Sequence, residues 1–232
     1  MTVSAIISRA VRSTLWLFAY NWGSAVLGVI SFTLMARLLG PEPYGVMALA
    51  GLIFGAVGIF VGAPLTEGLQ QREEITPAHL DTIFWLNTSL SVICGLVITV
   101  FAGPLAALIH APAVEEVLPV MSLIMVIGGL SSIPGALIQR NLEHQKLVWL
   151  SVATTFVCLP LGLGMAWMGF GVWALVASAA ASAIVTMTGT WWLAKWRPGF
   201  KISRQAFDEL VGFNRDTILT YLLGYLDDAL PR

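Results

Sequence analysis

The chain has 232 residues, of which 57% are hydrophobic and 11% are charged, and its mean hydropathy is +0.83. A soluble protein carries about 25% charged residues, so the lipid bilayer is expected to solvate much of this surface. The net charge of −1 excludes a broad basic field for binding nucleic acid. The first apolar stretch is too long for a secretion signal, and no small-residue cleavage site follows it. It is therefore expected to remain in the protein as the first helix.

Six stretches are long enough to cross the bilayer, because a helical crossing needs about 20 apolar residues. The longest run without Asp, Glu, Lys or Arg covers residues 147–194 and holds two crossings, separated by a turn at residues 168–171. These apolar stretches are too long and too continuous for the short strands of a membrane barrel, which alternate in polarity, so helices are predicted. The predicted spans are residues 14–38, 44–69, 79–101, 115–141, 148–168 and 172–195.

The basic residues between these spans fall mainly on one side of the membrane. Of the 12 Lys and Arg residues, all but Arg37 and Arg232 lie on the same side as the N-terminus. The positive-inside rule places that side in the cytoplasm. The sequence therefore predicts a cytoplasmic N-terminus.

The connections between the spans carry local signals. Thr76 followed by Pro77 is typical of a helix start, with Thr as the cap and Pro in the first turn. Residues 104–109 predict a short interfacial helix. Residues 203–211 predict an amphipathic helix on the cytoplasmic face, with a surface-docked loop helix as the alternative.

The last part of the sequence indicates the start of a seventh crossing. An apolar segment from residue 217 meets Asp227 and Asp228 and ends at Arg232, so the chain looks cut off. The predicted organisation is a six-helix transmembrane lobe at residues 1–200, an amphipathic linker helix at 201–214 and a truncated seventh helix at 215–232.

Several segments, taken in order, resemble the bacterial polysaccharide flippases of the Wzx type. Residues 36–45 are similar to the hinge between their first two helices, and residues 133–140 to the end of their fourth helix. Further similar segments are residues 68–76, 84–87, 169–176 and 196–198. The resemblance covers nearly the whole chain. It implies an all-α membrane protein of the multidrug/oligosaccharidyl-lipid/polysaccharide exporter superfamily, in which this chain supplies one lobe of a MATE-like, two-lobed transporter.

The resemblance also implies an activity and partners. The expected activity is to flip an undecaprenyl-diphosphate-linked oligosaccharide across the inner membrane by alternating access. The expected partners are that lipid-linked oligosaccharide, membrane lipids, and a missing C-terminal lobe or other polysaccharide-assembly proteins. No catalytic residue, cofactor or metal is expected.

Other functions stay open at this point. An ion-coupled multidrug-type exporter of the same superfamily would be favoured by acids facing a cavity in the first six helices. A membrane-bound glycosyltransferase or polymerase would need paired carboxylates or a large soluble loop. A non-transporting remnant is a further alternative, supported by the absent second lobe.

Four polar residues of the spans and their ends are candidates for substrate binding. Asn21 and Asn87 could bond sugar hydroxyls, or instead form hydrogen bonds between helices of the lobe. Arg37 could meet the diphosphate as it emerges, or act as a hinge residue pairing with Glu42. Arg140 could bind the incoming diphosphate, or anchor a helix end whose dipole favours a cation.

Asp227 and Asp228 are the remaining candidates. A carboxylate deep in hydrocarbon costs about 2.5–3.5 kcal/mol on insertion scales. Each is therefore expected to face a cavity or a partner, where it could couple transport to protons. The alternative is that this end of the chain does not insert fully.

Overall fold

A computed structural model describes residues 3–58 and 75–201, together with the single residues 61, 66 and 203. Within these residues the chain forms seven helices and no strand. The helices are α1 (Val3–Leu39), α2 (Pro41–Gly58), α3 (Pro77–Val100), α4 (Ala102–Leu108), α5 (Ala113–Arg140), α6 (His144–Trp167) and α7 (Val172–Ala194).

Five helices of the described part are long and apolar enough to cross a membrane: Asn21–Leu39 within α1, and the whole of α3, α5, α6 and α7. The last four lie within a few residues of the spans predicted at 79–101, 115–141, 148–168 and 172–195. The all-helical membrane fold is thus confirmed. The span predicted at residues 44–69 starts inside α2 and continues into residues outside the described ranges, so a count of six crossings stays a prediction.

Helix α1 begins well before its predicted start at residue 14. The prediction counted apolar residues, which a helix needs only where it crosses lipid. Each helical hydrogen bond joins groups four residues apart in the same segment, so Arg9 and Arg12 do not interrupt α1. Of the amphipathic helix predicted at 203–211, the structure describes only Ser203, which is not helical, and the seventh span lies outside the described residues.

The start of α3 confirms the predicted cap. The Thr76 hydroxyl accepts a hydrogen bond from the His79 N–H at 3.4 Å, and His79 Nδ1 accepts from the Thr76 N–H at 3.3 Å. This reciprocal pair is a capping box, and Pro77 occupies the first helical position. Two N–H groups that the helix itself cannot satisfy are therefore paired.

Glycines form the tight connection between α6 and α7. Gly169 and Gly171, between α6 and α7, have φ angles of 82° and 54°. A side chain is strained in this left-handed region, so the break predicted at residues 168–171 is confirmed and its glycines are explained. The short helix predicted at residues 104–109 is present as α4.

Helix α5 is the centre of the bundle. It packs against α3 on one side and α7 on the other, while α6 packs against α7 and α1. Small residues allow these close approaches. A Cβ atom placed on Gly129 of α5 would lie 3.1 Å from Ser91 Cβ of α3, and one on Gly162 of α6 would lie 2.9 Å from Met35 Cε of α1.

A proline in α5 ties this helix to α7. Pro134 has no N–H, so the carbonyl of Leu130, four residues earlier, loses its helical partner. The indole Nε1 of Trp191 on α7 donates to that carbonyl at 2.9 Å. The same indole ring lies edge-to-face against Phe84 of α3, with centroids 6.0 Å apart. The Trp191 side chain thus connects three helices at the point where α5 lacks a backbone hydrogen bond.

Candidate functional site

A cavity of about 490 Å³ lies between α1, α5, α6 and α7, and its wall consists mostly of hydroxyl side chains. Gln139 adds an amide, and none of the described lining residues is charged. The hydroxyl residues are Ser24, Thr66, Ser131, Ser132, Ser151, Thr154, Thr155, Ser182, Thr186 and Thr190.

Helical spacing and antiparallel packing bring these hydroxyls together. Ser182, Thr186 and Thr190 are four residues apart on α7, so they share one face of that helix. Ser151 and Thr154 lie in the first half of α6, which runs antiparallel to α7. The cavity therefore sits toward one end of the bundle, where α1 and α6 begin and α5 and α7 end. On the orientation predicted from the basic residues, this end is the cytoplasmic one.

Five of these ten hydroxyls donate their proton to a carbonyl of their own helix. Thr154 Oγ1 donates to the Leu150 carbonyl at 2.8 Å, and Ser132 Oγ donates to the Gly129 carbonyl at 2.7 Å. Ser131, Thr155 and Thr190 donate to backbone carbonyls in the same way. A hydroxyl that donates in this way keeps its acceptor lone pairs. These five hydroxyls therefore present neutral acceptor oxygens, which suit O–H and N–H donors of a ligand better than they suit an anion.

A second cavity of about 340 Å³ continues the first one along α1, α6 and α7. The two share Thr154, Thr155 and Ser182 as lining residues. The second cavity is more apolar, with Phe32 and Leu159 in its wall. The lobe thus contains a polar chamber near one end and a more apolar one behind it.

Asn87 and Asn21 occupy different environments. Asn87 is fully buried, and its Nδ2 donates to Ser132 Oγ at 2.8 Å and to the Gly129 carbonyl at 3.4 Å. These are contacts of the interhelical alternative, and they place Asn87 directly behind the cavity wall. Asn21 is exposed on α1, one turn before Ser24, whose Oγ lies 3.0 Å from Ser151 Oγ. Direct substrate binding by either residue stays a prediction.

The charged candidates are spread over the molecule. Arg140 is the last residue of α5 and follows Gln139, which lines the cavity. Arg37 is exposed in the last turn of α1, toward the opposite end of the bundle. Asp227 and Asp228 lie outside the described residues. The structure thus brings Arg140 near the cavity and separates Arg37 from it.

One polar site was not anticipated from the sequence. Asp81, in the second turn of α3, is only 4% exposed, and its carboxylate accepts the backbone N–H groups of Gly199 at 2.9 Å and Lys201 at 3.3 Å. Asp81 falls in the first turns of the span predicted at 79–101, and the sequence indicated no partner for it. Its partners are backbone groups more than a hundred residues away, and side-chain patterns carry no signal for these.

Comparison with known proteins gives the family. The model of a family described as "Polysaccharide biosynthesis protein" matches residues 34–231. The chain is 29% identical over 208 residues to the succinoglycan biosynthesis transport protein ExoT of Rhizobium meliloti (strain 1021), covering 88% of this chain and 42% of that protein. No solved structure matches the chain.

Two further relatives agree. The amylovoran biosynthesis protein AmsL of Erwinia amylovora is 26% identical over 59% of this chain and 36% of its own length. The lipopolysaccharide biosynthesis protein WzxC of Escherichia coli (strain K12) is 22% identical over 52% of this chain and 25% of its own length. The chain thus spans less than half the length of these curated relatives. It belongs to the polysaccharide biosynthesis protein family of Wzx-type flippases, as a multi-pass protein of the bacterial inner membrane.

Proposed function

We propose that this chain is part of a polysaccharide exporter that flips an undecaprenyl-diphosphate-linked oligosaccharide across the inner membrane. The observation that carries the proposal is the hydroxyl-lined cavity inside a lobe of this family. A sugar chain must exchange its hydrogen bonds with water for hydrogen bonds with protein when it enters the low-dielectric slab. The cavity offers neutral acceptor oxygens for the sugar O–H groups.

The size of the cavity fits part of a glycan. Small-molecule sites have volumes of about 300–1,000 Å³, and this cavity has about 490 Å³. Each neutral hydrogen bond contributes about 0.5–1.5 kcal/mol. Several such bonds can hold a sugar unit, yet the binding stays weak enough for the sugar to be released, as a transporter requires.

The diphosphate needs a different place. The described cavity wall has no cation, whereas a guanidinium binds phosphate oxygens with paired hydrogen bonds. Arg140, beside the cavity residue Gln139, is the candidate for the incoming diphosphate. Arg37, toward the other end of the bundle, is the candidate for the emerging one. The lipid tail stays in the bilayer.

Alternating access completes the proposed mechanism. The lobe at residues 1–200 rocks against a second lobe, so that the cavity opens to each side in turn. The linker predicted at 201–214 and the start of a seventh helix predicted at 215–232 would connect the lobe to its partner. Of the described residues, Asp81 is the buried acid, and backbone N–H groups occupy its carboxylate. This supports glycan transport over the ion-coupled multidrug alternative.

The test is complementation of a flippase-deficient strain. The strain receives either this chain or this chain extended by the second lobe of the succinoglycan relative. Rescue of surface polysaccharide, with loss of the lipid-linked oligosaccharide that accumulates inside, is the expected result for at least one of them. If neither rescues while both reach the membrane in normal amounts, the proposed transport is wrong.

The proposed orientation has its own test. Reporter fusions after Glu115, at the start of α5, and after Lys201, beyond α7, should report the periplasm and the cytoplasm respectively. A cytoplasmic signal at Glu115 would overturn the orientation, and with it the assignment of the cavity to the cytoplasmic half.

A further inference from the structure

The segment that follows α7 is hydrogen-bonded to the start of α3 through the N–H groups of every second residue. This segment, residues 196–201 with Ser203, is called the strap. The N–H groups of Gly199 and Lys201 donate to the Asp81 carboxylate, and the N–H of Ser203 donates to Thr82 Oγ1 at 3.1 Å. Alternate N–H groups point the same way in an extended chain. The first turns of α3 therefore pair the strap much as a neighbouring strand would.

Aromatic and steric contacts hold the strap in the same register. Trp85 Nε1 donates to the Gly199 carbonyl at 2.8 Å, and the Trp85 ring stacks on Phe200 with centroids 5.3 Å apart. A Cβ atom on Gly199 would lie 2.5 Å from Asp81 Oδ2, so a glycine is needed where the strap passes the carboxylate. Arg197 lies over the Trp191 ring, 5.6 Å from its centroid.

Release of the strap would be costly because of Asp81. Its carboxylate is buried, and a buried charge is tolerated only while hydrogen bonds replace its lost water. The two strap N–H groups supply those bonds. Undocking would leave the carboxylate without them, so the helices and the strap are expected to move as one body.

We propose that Asp81 is a positioning residue for transport, which keeps the strap docked on α3 throughout the cycle. This inference rests on the proposed function. The strap is the described end of the chain and includes the first residues of the linker predicted at 201–214. A docked strap fixes the point at which that linker leaves the lobe. When the lobe moves, the chain that follows it is therefore displaced from a fixed position.

The first experiment locks the strap in place. Thr82→Cys and Ser203→Cys are introduced together, and a short thiol–thiol crosslinker joins them, since Thr82 Oγ1 and Ser203 N are 3.1 Å apart. Flipping of lipid-linked oligosaccharide is then followed in inverted vesicles from cells carrying the rescuing chain. We expect efficient crosslinking and an unchanged rate. A rate that falls on crosslinking means that the strap must release, which overturns the proposal.

The second experiment weakens the dock. Asp81→Asn replaces one acceptor oxygen by a donor that faces the strap N–H groups. A hydrogen bond to a charged group is worth about tenfold or more in an equilibrium, so we expect about a tenfold rise in thiol labelling at Ser203→Cys and a matching fall in transport. Asp81→Glu keeps the charge, so it should restore part of the transport and bring labelling part of the way back to the parent level.

The matched control is Glu143→Gln. Glu143 is an acid near the same end of the bundle, and it pairs with Lys146 at 2.7 Å while both side chains are 37% exposed. Exposed pairs contribute little, so labelling and transport should change less than twofold. Gly199→Ala disturbs the dock from the strap side and stands in for Asp81→Asn if that variant is poorly inserted.

The outcomes separate the two proposals. Increased labelling with unchanged transport, or lost transport without increased labelling, would show that Asp81 does not act through the strap. A parent chain that fails to transport before any substitution refutes the proposed function instead. In that case, weak crosslinking between positions 82 and 203 would independently refute the docked strap.

Discussion

Two polar regions lie near the same end of the bundle and use their hydrogen bonds in opposite ways. At Asp81 both carboxylate oxygens accept N–H groups of the strap. In the cavity, hydroxyls such as Thr154 and Ser131 give their protons to their own helices and keep acceptor lone pairs for a ligand. In a low-dielectric protein, a paired group stabilises structure, whereas a group with spare capacity is available to a ligand. Substitutions in and around the two regions test this contrast.

The largest effect on stability is expected at the helix contact behind the cavity. Gly129→Ala would place a Cβ atom 3.1 Å from Ser91 Cβ and 2.5 Å from Ser91 Oγ, and Ser91 is fully buried. Overpacking of this kind costs about 1–3 kcal/mol. The midpoint of thermal unfolding in detergent should fall.

Its control is the neighbouring glycine. A Cβ atom on Gly128 meets nothing within 4 Å, so Gly128→Ala should be neutral or stabilise the helix by up to about 1 kcal/mol. Equal midpoints for the two variants would mean that α3 and α5 are not in close contact at Gly129.

Alanine substitutions at Asn87 and Asn21 should have different effects: the first mainly on stability, the second mainly on transport. Asn87→Ala removes the bonds to Ser132 and Gly129, which is expected to cost about 1–2 kcal/mol for a hydrogen bond between membrane helices. Transport per folded molecule should change little. Asn21→Ala, on the exposed face of α1, should leave unfolding unchanged and lower transport. The reverse pattern would make Asn87 the residue that contacts substrate.

Trp191→Phe is expected to have a smaller effect. It keeps an aromatic ring beside Phe84 but leaves the Leu130 carbonyl without its indole donor. The loss should be about 1 kcal/mol in unfolding free energy. Trp192→Phe, at a side chain that is 78% exposed, should change almost nothing. If the two behave alike, Trp191 does not repair the bond that Pro134 removes.

The smallest effect on stability is expected in the cavity wall. Ser151→Ala and Thr154→Val should shift the unfolding free energy by at most about 0.5 kcal/mol. Transport should fall about two- to tenfold per lost hydroxyl, the value of one neutral hydrogen bond. Thr188→Val removes an exposed hydroxyl of α7 that bonds the Ile184 carbonyl outside the cavity. Equal losses at Thr188 and Thr154 would contradict a substrate site in the cavity.

Local signals in the sequence predicted the helices well. The cap at Thr76 and the break at Gly169 and Gly171 depend on residue types with one strong conformational preference, so each could be identified without tertiary structure. The start of α1 could not, because hydropathy marks where a helix meets lipid and not where the helix begins.

The site was less predictable. Ser182, Thr186 and Thr190 have the spacing of one helix face, but hydroxyls on such a face equally serve helix packing, and only the arrangement of α1, α5, α6 and α7 turns them toward a common space. Asp81 was missed because backbone groups, which every residue carries, are its partners. Arg140 was predicted from its charge and does lie beside a cavity residue.

The hydrogen bonds that cavity hydroxyls donate to their own helices also affect how easily a sugar enters and leaves. Before a sugar enters, water molecules are expected to fill a polar space of this size and to donate protons to its acceptor oxygens. A sugar hydroxyl that replaces such a water exchanges one donor for another, so the enthalpy of entry is small. The same holds in reverse when the sugar leaves. A wall in which half of the hydroxyls donate to their own helices would thus bind many different neutral sugars weakly and release each of them readily.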